Sequence, residues 1–153
     1  MEALALAVWV GGLVSIIAAV IPAVFTTIGM ETGGRMLTKM FHGYDRLALV
    51  AAGFIVAGTV VRTYGSIGGW SAQIGMAEPV LVGIMVVIAT VLLFWLGPET
   101  TRLQELAFSA KDDAKRLAYD NFFAYHRVAR ALYIINLGLG ITVLCIKVKR
   151  WAR

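Results

Sequence analysis

The stretch ALALAVWVGGLVSIIAAVIPAVFTTIG, Ala3–Gly29, decides the fold. It holds no charge and is longer than the roughly 20 apolar residues that a helix needs to cross about 30 Å of hydrocarbon. Three similar runs follow at Tyr44–Val61, Pro79–Gly97 and Val128–Ile146. Together they fill most of a 153-residue chain that is 59% hydrophobic, against roughly 45–50% in an average soluble domain. The expectation is an all-α polytopic membrane protein: a single domain over 1–153, with four transmembrane helices as an antiparallel bundle.

The first run is too long for the apolar core of a signal peptide and lacks a basic flank before it, so it reads as an uncleaved span. Gly11, Ser15 and Ala19 recur in it at four-residue spacing, and Gly53 and Ala57 lie in the second run. Small residues let helix backbones approach closely, so these stripes predict that spans one and two pack through them. Pro22 predicts a kink. Glu78-Pro79 marks the start of span three, and Gly97-Pro98 reads as its stop. Trp9, Tyr44, Trp70, Trp95 and Trp151 fall near span ends, where amphipathic rings favour the membrane interface.

Between the spans, Gly33-Gly34 suggests a turn before a brief interfacial helix within 30–41, and the glycines of 64–75 suggest an irregular loop. Over 99–125, Leu103, Leu106, Ala110, Ala114 and Leu117 recur at helical spacing. Thr101 with Gln104 resembles a capping box, and Asp112 and Arg116 form an i,i+4 pair. This predicts an extramembrane helix between spans three and four that runs toward or into span four.

Fourteen Lys and Arg residues against nine Asp and Glu give a net charge of +5. The basic residues crowd the loops and tails, which suits lipid headgroups. No groove-reading pattern points to nucleic acid. The side holding both termini carries Arg62, Lys147, Lys149, Arg150 and Arg153. The other side carries Arg35, Lys39, Arg46, Arg102, Lys111, Lys115, Arg116, Arg127 and Arg130. Basic residues gather on the cytoplasmic side, so nine against five predicts that the first and third loops are cytoplasmic. The single cysteine, Cys145, forms no intrachain disulfide and reads as a buried small apolar residue.

Chemistry-bearing residues are few. The only histidines, His42 and His126, lie just before spans two and four, at similar depth on one side. Two imidazoles so placed would suit a haem iron or one metal. Met36 and Met40, one helical turn apart and close to His42, add thioethers that suit copper(I). The bland alternative is interfacial histidines and packing methionines. Glu78, Asp45, Arg46, Arg62, Arg130 and Lys147 fall near span ends, where snorkelling makes charge tolerable. Asn136 is the one strongly polar side chain near mid-depth. No nucleophile–base pair, paired carboxylates or phosphate loop is placed to act, which leaves no evident catalysis.

Trp9-Val10-Gly11-Gly12, Pro22 and Phe25, Gly33-Gly34-Arg35, Phe41 and Tyr44, and Phe122 with His126 carry a family resemblance. By these motifs the chain resembles a bacterial four-helix membrane family of unknown function, the domain of unknown function 4149 family. That family includes sequences like eukaryotic transmembrane protein 205 and is distantly similar to copper-resistance protein D. The resemblance implies a four-span bacterial inner-membrane protein, and its copper-resistance link favours metal handling. Three functions follow as expectations. They are a soft-metal or haem protein, an accessory subunit that packs against a larger membrane complex, and a transporter that works by self-association.

Overall fold

Alternating apolar runs and polar ends dictate four long helices, and the computed structural model has four. It describes residues 1–67, 76–109 and 111–151, without the side chains of 66, 67, 112 and 151. Helix α1 is Glu2–Thr27, α2 is Met30–Ile67, α3 is Ala77–Ser109 and α4 is Asp112–Trp151. No strand occurs among the described residues. Each helix packs against its sequence neighbours, and α4 closes the ring against α1. All four are long and apolar enough to cross a bilayer, so the chain is an integral membrane protein.

The contact faces lie one residue away from the small-residue stripes. Gly11 and Gly53 meet nothing, and Ser15, Ala19 and Ala57 are exposed. The expected packing through these five residues is therefore incorrect. The core of α1 is Leu6, Trp9, Leu13 and Ile16, against Tyr44, Ala48, Ala52 and Ile55 of α2. One residue is about 100° of helix rotation, enough to turn the Gly11 stripe out to lipid. Close approach is made elsewhere. A Cβ on Gly12 would lie 3.3 Å from the Tyr44 ring, and one on Gly140 would lie 2.7 Å from Val10 Cγ2 and 3.3 Å from Met85 Cε.

Trp9 is buried in this core, 2% exposed, and Tyr44 donates a hydrogen bond from its hydroxyl to the Trp9 carbonyl at 3.0 Å. Both rings are buried within the bundle. Trp95 is exposed on α3. Trp70 and the side chain of Trp151 lie outside the described residues. Cys145 is exposed on the lipid-facing side of α4 rather than buried.

Two prolines are absorbed in the same way. A proline ring crowds the carbonyl four residues back and donates no hydrogen bond. Before Pro22, Ile16–Val20 form a wide π turn, and Ile21 donates to the Ile16 carbonyl. Before Pro98, Leu92–Leu96 do the same, with Gly97 donating to the Leu92 carbonyl. Widening the helix relieves the crowding, so Gly97-Pro98 does not stop α3, which continues to Ser109. Glycine suits position 97, since a Cβ there would lie 2.8 Å from the Leu92 oxygen.

The interhelical segments also differ from expectation. The first turn is at Gly29, whose φ of 84° is the left-handed region. Gly33 and Gly34 are helical. A Cβ on Gly33 would strike Val24 Cγ1 at 2.9 Å, and one on Gly34 would lie 3.1 Å from Gln104 Nε2. Thus 30–41 is the start of α2 and not a separate helix. The loop expected at 64–75 is helical through Ile67, and the rest lies outside the described residues. The segment 99–125 is not one helix. Its first part completes α3 and its second opens α4, and the two pack as a hairpin.

Candidate functional site

The antiparallel ring brings the start of α1 and α3 together with the end of α2 and α4. The sequence places one charge at each of these ends. Glu2 and Glu78 stand in first turns, and Arg62 and Lys147 stand near last turns. Acids at helix starts and bases at helix ends each complement the helix dipole. Lys147 Nζ contacts Glu2 Oε2 and lies 2.5 Å from Glu78 Oε1. Arg62 donates from Nε to Glu2 Oε1 at 2.9 Å and from its terminal nitrogen to Glu78 Oε1 at 2.6 Å. Arg150 adds an ion pair to Glu78 Oε2 at 2.9 Å.

The node is graded in exposure. The side chains of Glu78 and Lys147 are 0% and 4% exposed, whereas Arg62 and Arg150 are 29% and 32% exposed. Burying a charge is tolerable only when it is paired and hydrogen-bonded, and here each buried group meets at least two partners. A Cβ on Gly58 would lie 2.3 Å from Glu2 Oε1, so a glycine there leaves room for the carboxylate against α2. With three cations and two carboxylates, the node keeps one net positive charge. Beside it opens a groove of about 530 Å³, lined by Phe54, Ala57 and Val61 of α2 together with Arg62, Lys147 and Arg150.

The node also sets the depth scale. A hydrocarbon layer of about 30 Å spans about 20 helical residues at 1.5 Å each. Counted from Glu2, Arg62, Glu78 and Lys147, the opposite face falls near Pro22, His42, Pro98 and Arg127. The helices run past it. The 33 residues of α3 and 40 of α4 correspond to about 50 and 60 Å, so the α3–α4 hairpin stands clear of the layer.

At that opposite end the polar groups are dispersed along the α2–α3 seam. Arg35 forms a two-toothed pair with Glu105, Nε to Oε1 at 2.9 Å and a terminal nitrogen to Oε2 at 3.0 Å. Thr38 donates to Gln104 Oε1 at 2.6 Å. His42 Nε2 lies 2.9 Å from Thr101 Oγ1. Thr101 and Gln104 are thus cross-helix partners and do not form a capping box. Just inside the layer, Tyr133 donates to buried Asp45, with its hydroxyl 2.8 Å from each carboxylate oxygen. Asn136 is buried at mid-depth. Its Nδ2 reaches the Met85 carbonyl at 3.4 Å, and its Oδ1 meets no partner among the described residues.

The histidines and methionines singled out by sequence take separate surroundings. His42 faces α3, where Gly97 makes room for its ring. His126 is exposed on α4 and stacks on Phe122, with centroids 5.5 Å apart. Met36 is exposed and Met40 half-buried. Among the described residues, no three of His, Cys, Asp and Glu gather as a metal shell. The charge node escapes the sequence reading because Glu78, Arg62 and Lys147 are taken singly as snorkelling end charges, Arg150 enters only the basic count and Glu2 is not singled out. The available signal was their common depth, with acids on odd spans and bases on even ones.

A family model described as a domain of unknown function (DUF4149) matches residues 4–109. No curated protein and no solved structure matches the chain.

Proposed function

The chain belongs to the family of that domain of unknown function (DUF4149), and from that premise we propose that it is a non-catalytic accessory subunit of a larger membrane complex. The observation that carries this reading is the hairpin standing clear of the bilayer, formed by the end of α3 and the start of α4. It leaves Leu106, Leu117 and Phe123 exposed at 44%, 64% and 51%. By the depth count these side chains lie at or beyond the headgroups, and apolar side chains exposed at that height suit an interaction surface. The nine-to-five basic excess favours the cytoplasmic side for this end, and the family resemblance favours a bacterial inner membrane. The partner is therefore a protein that presents an apolar face at or above the cytoplasmic headgroups.

The test is purification in mild detergent, with the partner identified by mass spectrometry and fixed by cross-links from the hairpin. Leu117→Glu and Phe123→Glu should each release that partner while helicity and melting stay unchanged. A cross-linked partner retained by both variants overturns the docking role. A complex made only of this chain supports self-association instead.

A second reading is favoured by the equal depth of His42 and His126: a haem or soft metal held by them, with Met36 or Met40. It requires His42 to use the nitrogen that does not face Thr101, and His126 to leave its stack on Phe122. Metal analysis and the visible spectrum of the purified protein test it directly.

A further inference from the structure

We propose that the groove beside the charge node binds the phosphate headgroup of an acidic phospholipid. Three observations meet there. The node's side chains are three cations and two carboxylates, so one positive side-chain charge remains uncompensated, and Met1 and Glu2 also line the groove. Of the three cations that line the groove, Arg62 and Arg150 are the partly exposed ones, while buried Lys147 is spent on Glu2 and Glu78. An apolar stripe of Phe54, Ala57 and Val61 then leads from these guanidinium groups along α2 toward the bilayer interior. Phe54 and Val61 are exposed, and the spacing puts all three on one helix face.

A lipid matches both halves of this surface. Its phosphate would accept hydrogen bonds from the outer faces of Arg62 and Arg150, since guanidinium groups suit phosphate geometry. Its acyl chain would lie along Phe54, Ala57 and Val61. One monoanionic phosphodiester cancels the node's excess of one charge. A zwitterionic lipid brings its own cation and leaves that excess in place. This site is at the opposite end of the bundle from the protruding hairpin and does not depend on the docking role.

The experiment uses the full chain in a mild non-ionic detergent and follows thermal unfolding during titration. The probes are dioctanoyl-phosphatidylglycerol, dioctanoyl-phosphatidylcholine and inorganic phosphate. The acidic lipid should raise the melting temperature at concentrations about fivefold lower than the zwitterionic lipid, the effect of about one unpaired basic residue. Arg150→Gln should remove that advantage. Ala57→Trp, at an exposed position that fills the groove floor, should weaken the acidic lipid while leaving the unliganded melting temperature unchanged. This second variant keeps the test intact if Arg150→Gln unfolds. Equal stabilisation by both lipids overturns the proposal, as does unchanged phosphatidylglycerol binding in Ala57→Trp. Stabilisation by inorganic phosphate equal to that by phosphatidylglycerol overturns the lipid assignment and leaves a free-anion site.

Discussion

The two ends of this bundle handle charge in opposite ways. At the end that holds the start of α1, five side chains from all four helices converge on one node, and its two innermost members are almost fully enclosed. At the other end the polar groups are shared out pairwise along the α2–α3 seam, and Arg35 and Glu105 stay about half exposed. The difference follows from where each end meets water. Charges placed at the limit of the hydrocarbon have little water to fall back on, so they must satisfy one another. Helices that run on into water need no such closure, and their pairs set register more than stability. The first end should therefore be the energetic weak point when altered, and the second should tolerate change.

The largest effect is expected at Glu78. Glu78→Gln removes the carboxylate charge shared by Arg62, Lys147 and Arg150 and leaves buried Lys147 with one charged partner, Glu2. Breaking a buried ion pair from one side costs about 3–5 kcal/mol. Denaturation in detergent should show a loss of that order, and adding Lys147→Met should recover part of it. If Glu78→Gln melts like the parent chain, the node is open to solvent and the contrast between the two ends disappears.

The next effect probes the inner edge of the dispersed end. Tyr133→Phe removes the hydroxyl that contacts both oxygens of buried Asp45. An unsatisfied buried polar group costs about 1–3 kcal/mol, so the expected loss is smaller than at Glu78 but clear in the same measurement. A larger loss than for Glu78→Gln would reverse the ranking of the two ends.

These expectations also mark what was legible in the sequence. The four spans were, because about 20 apolar residues leave few alternatives in a chain this short. Rotation about each helix was not, because lipid is as apolar as the core. Gly11 and Gly12 both look like packing residues, and only Gly12 meets Tyr44. Proline signals misled at Gly97-Pro98, since a π turn needs no distinctive residues and lets the helix pass. The node was half legible: its charges were visible and their shared depth was countable, but their convergence depends on how the four helices close into a ring. The sequence marks His42 as a candidate haem or metal ligand near the interface, yet its hydrogen-bond partner Thr101 lies 59 residues away, a pairing that no local pattern announces.

The rotation can be tested with two leucines. Gly12→Leu forces a side chain into the Tyr44 ring, and overpacking typically costs about 1–3 kcal/mol. Gly53→Leu points into open space and should change melting little. Equal losses in both would show that the α1–α2 face is rotated toward the Gly11 and Gly53 stripes.

The smallest effect should come from the most conspicuous pair of the dispersed end. Arg35 grips Glu105 with two hydrogen bonds, meets Glu31 at 3.2 Å, and lies 5.2 Å from the centre of the Phe108 ring. Close geometry argues for a strong interaction, and exposure argues against it. Both partners are about half exposed, with side chains at 46% and 52%, so water and salt screen the attraction, and such pairs typically contribute about 0.2–1 kcal/mol. Screening should win. Arg35→Gln should lower stability by no more than about 1 kcal/mol, and the small loss should shrink further as salt is raised. A loss as large as that of Glu78→Gln, insensitive to salt, would mean that this end is sheltered from water as fully as the node, and that a partner or the bilayer covers it.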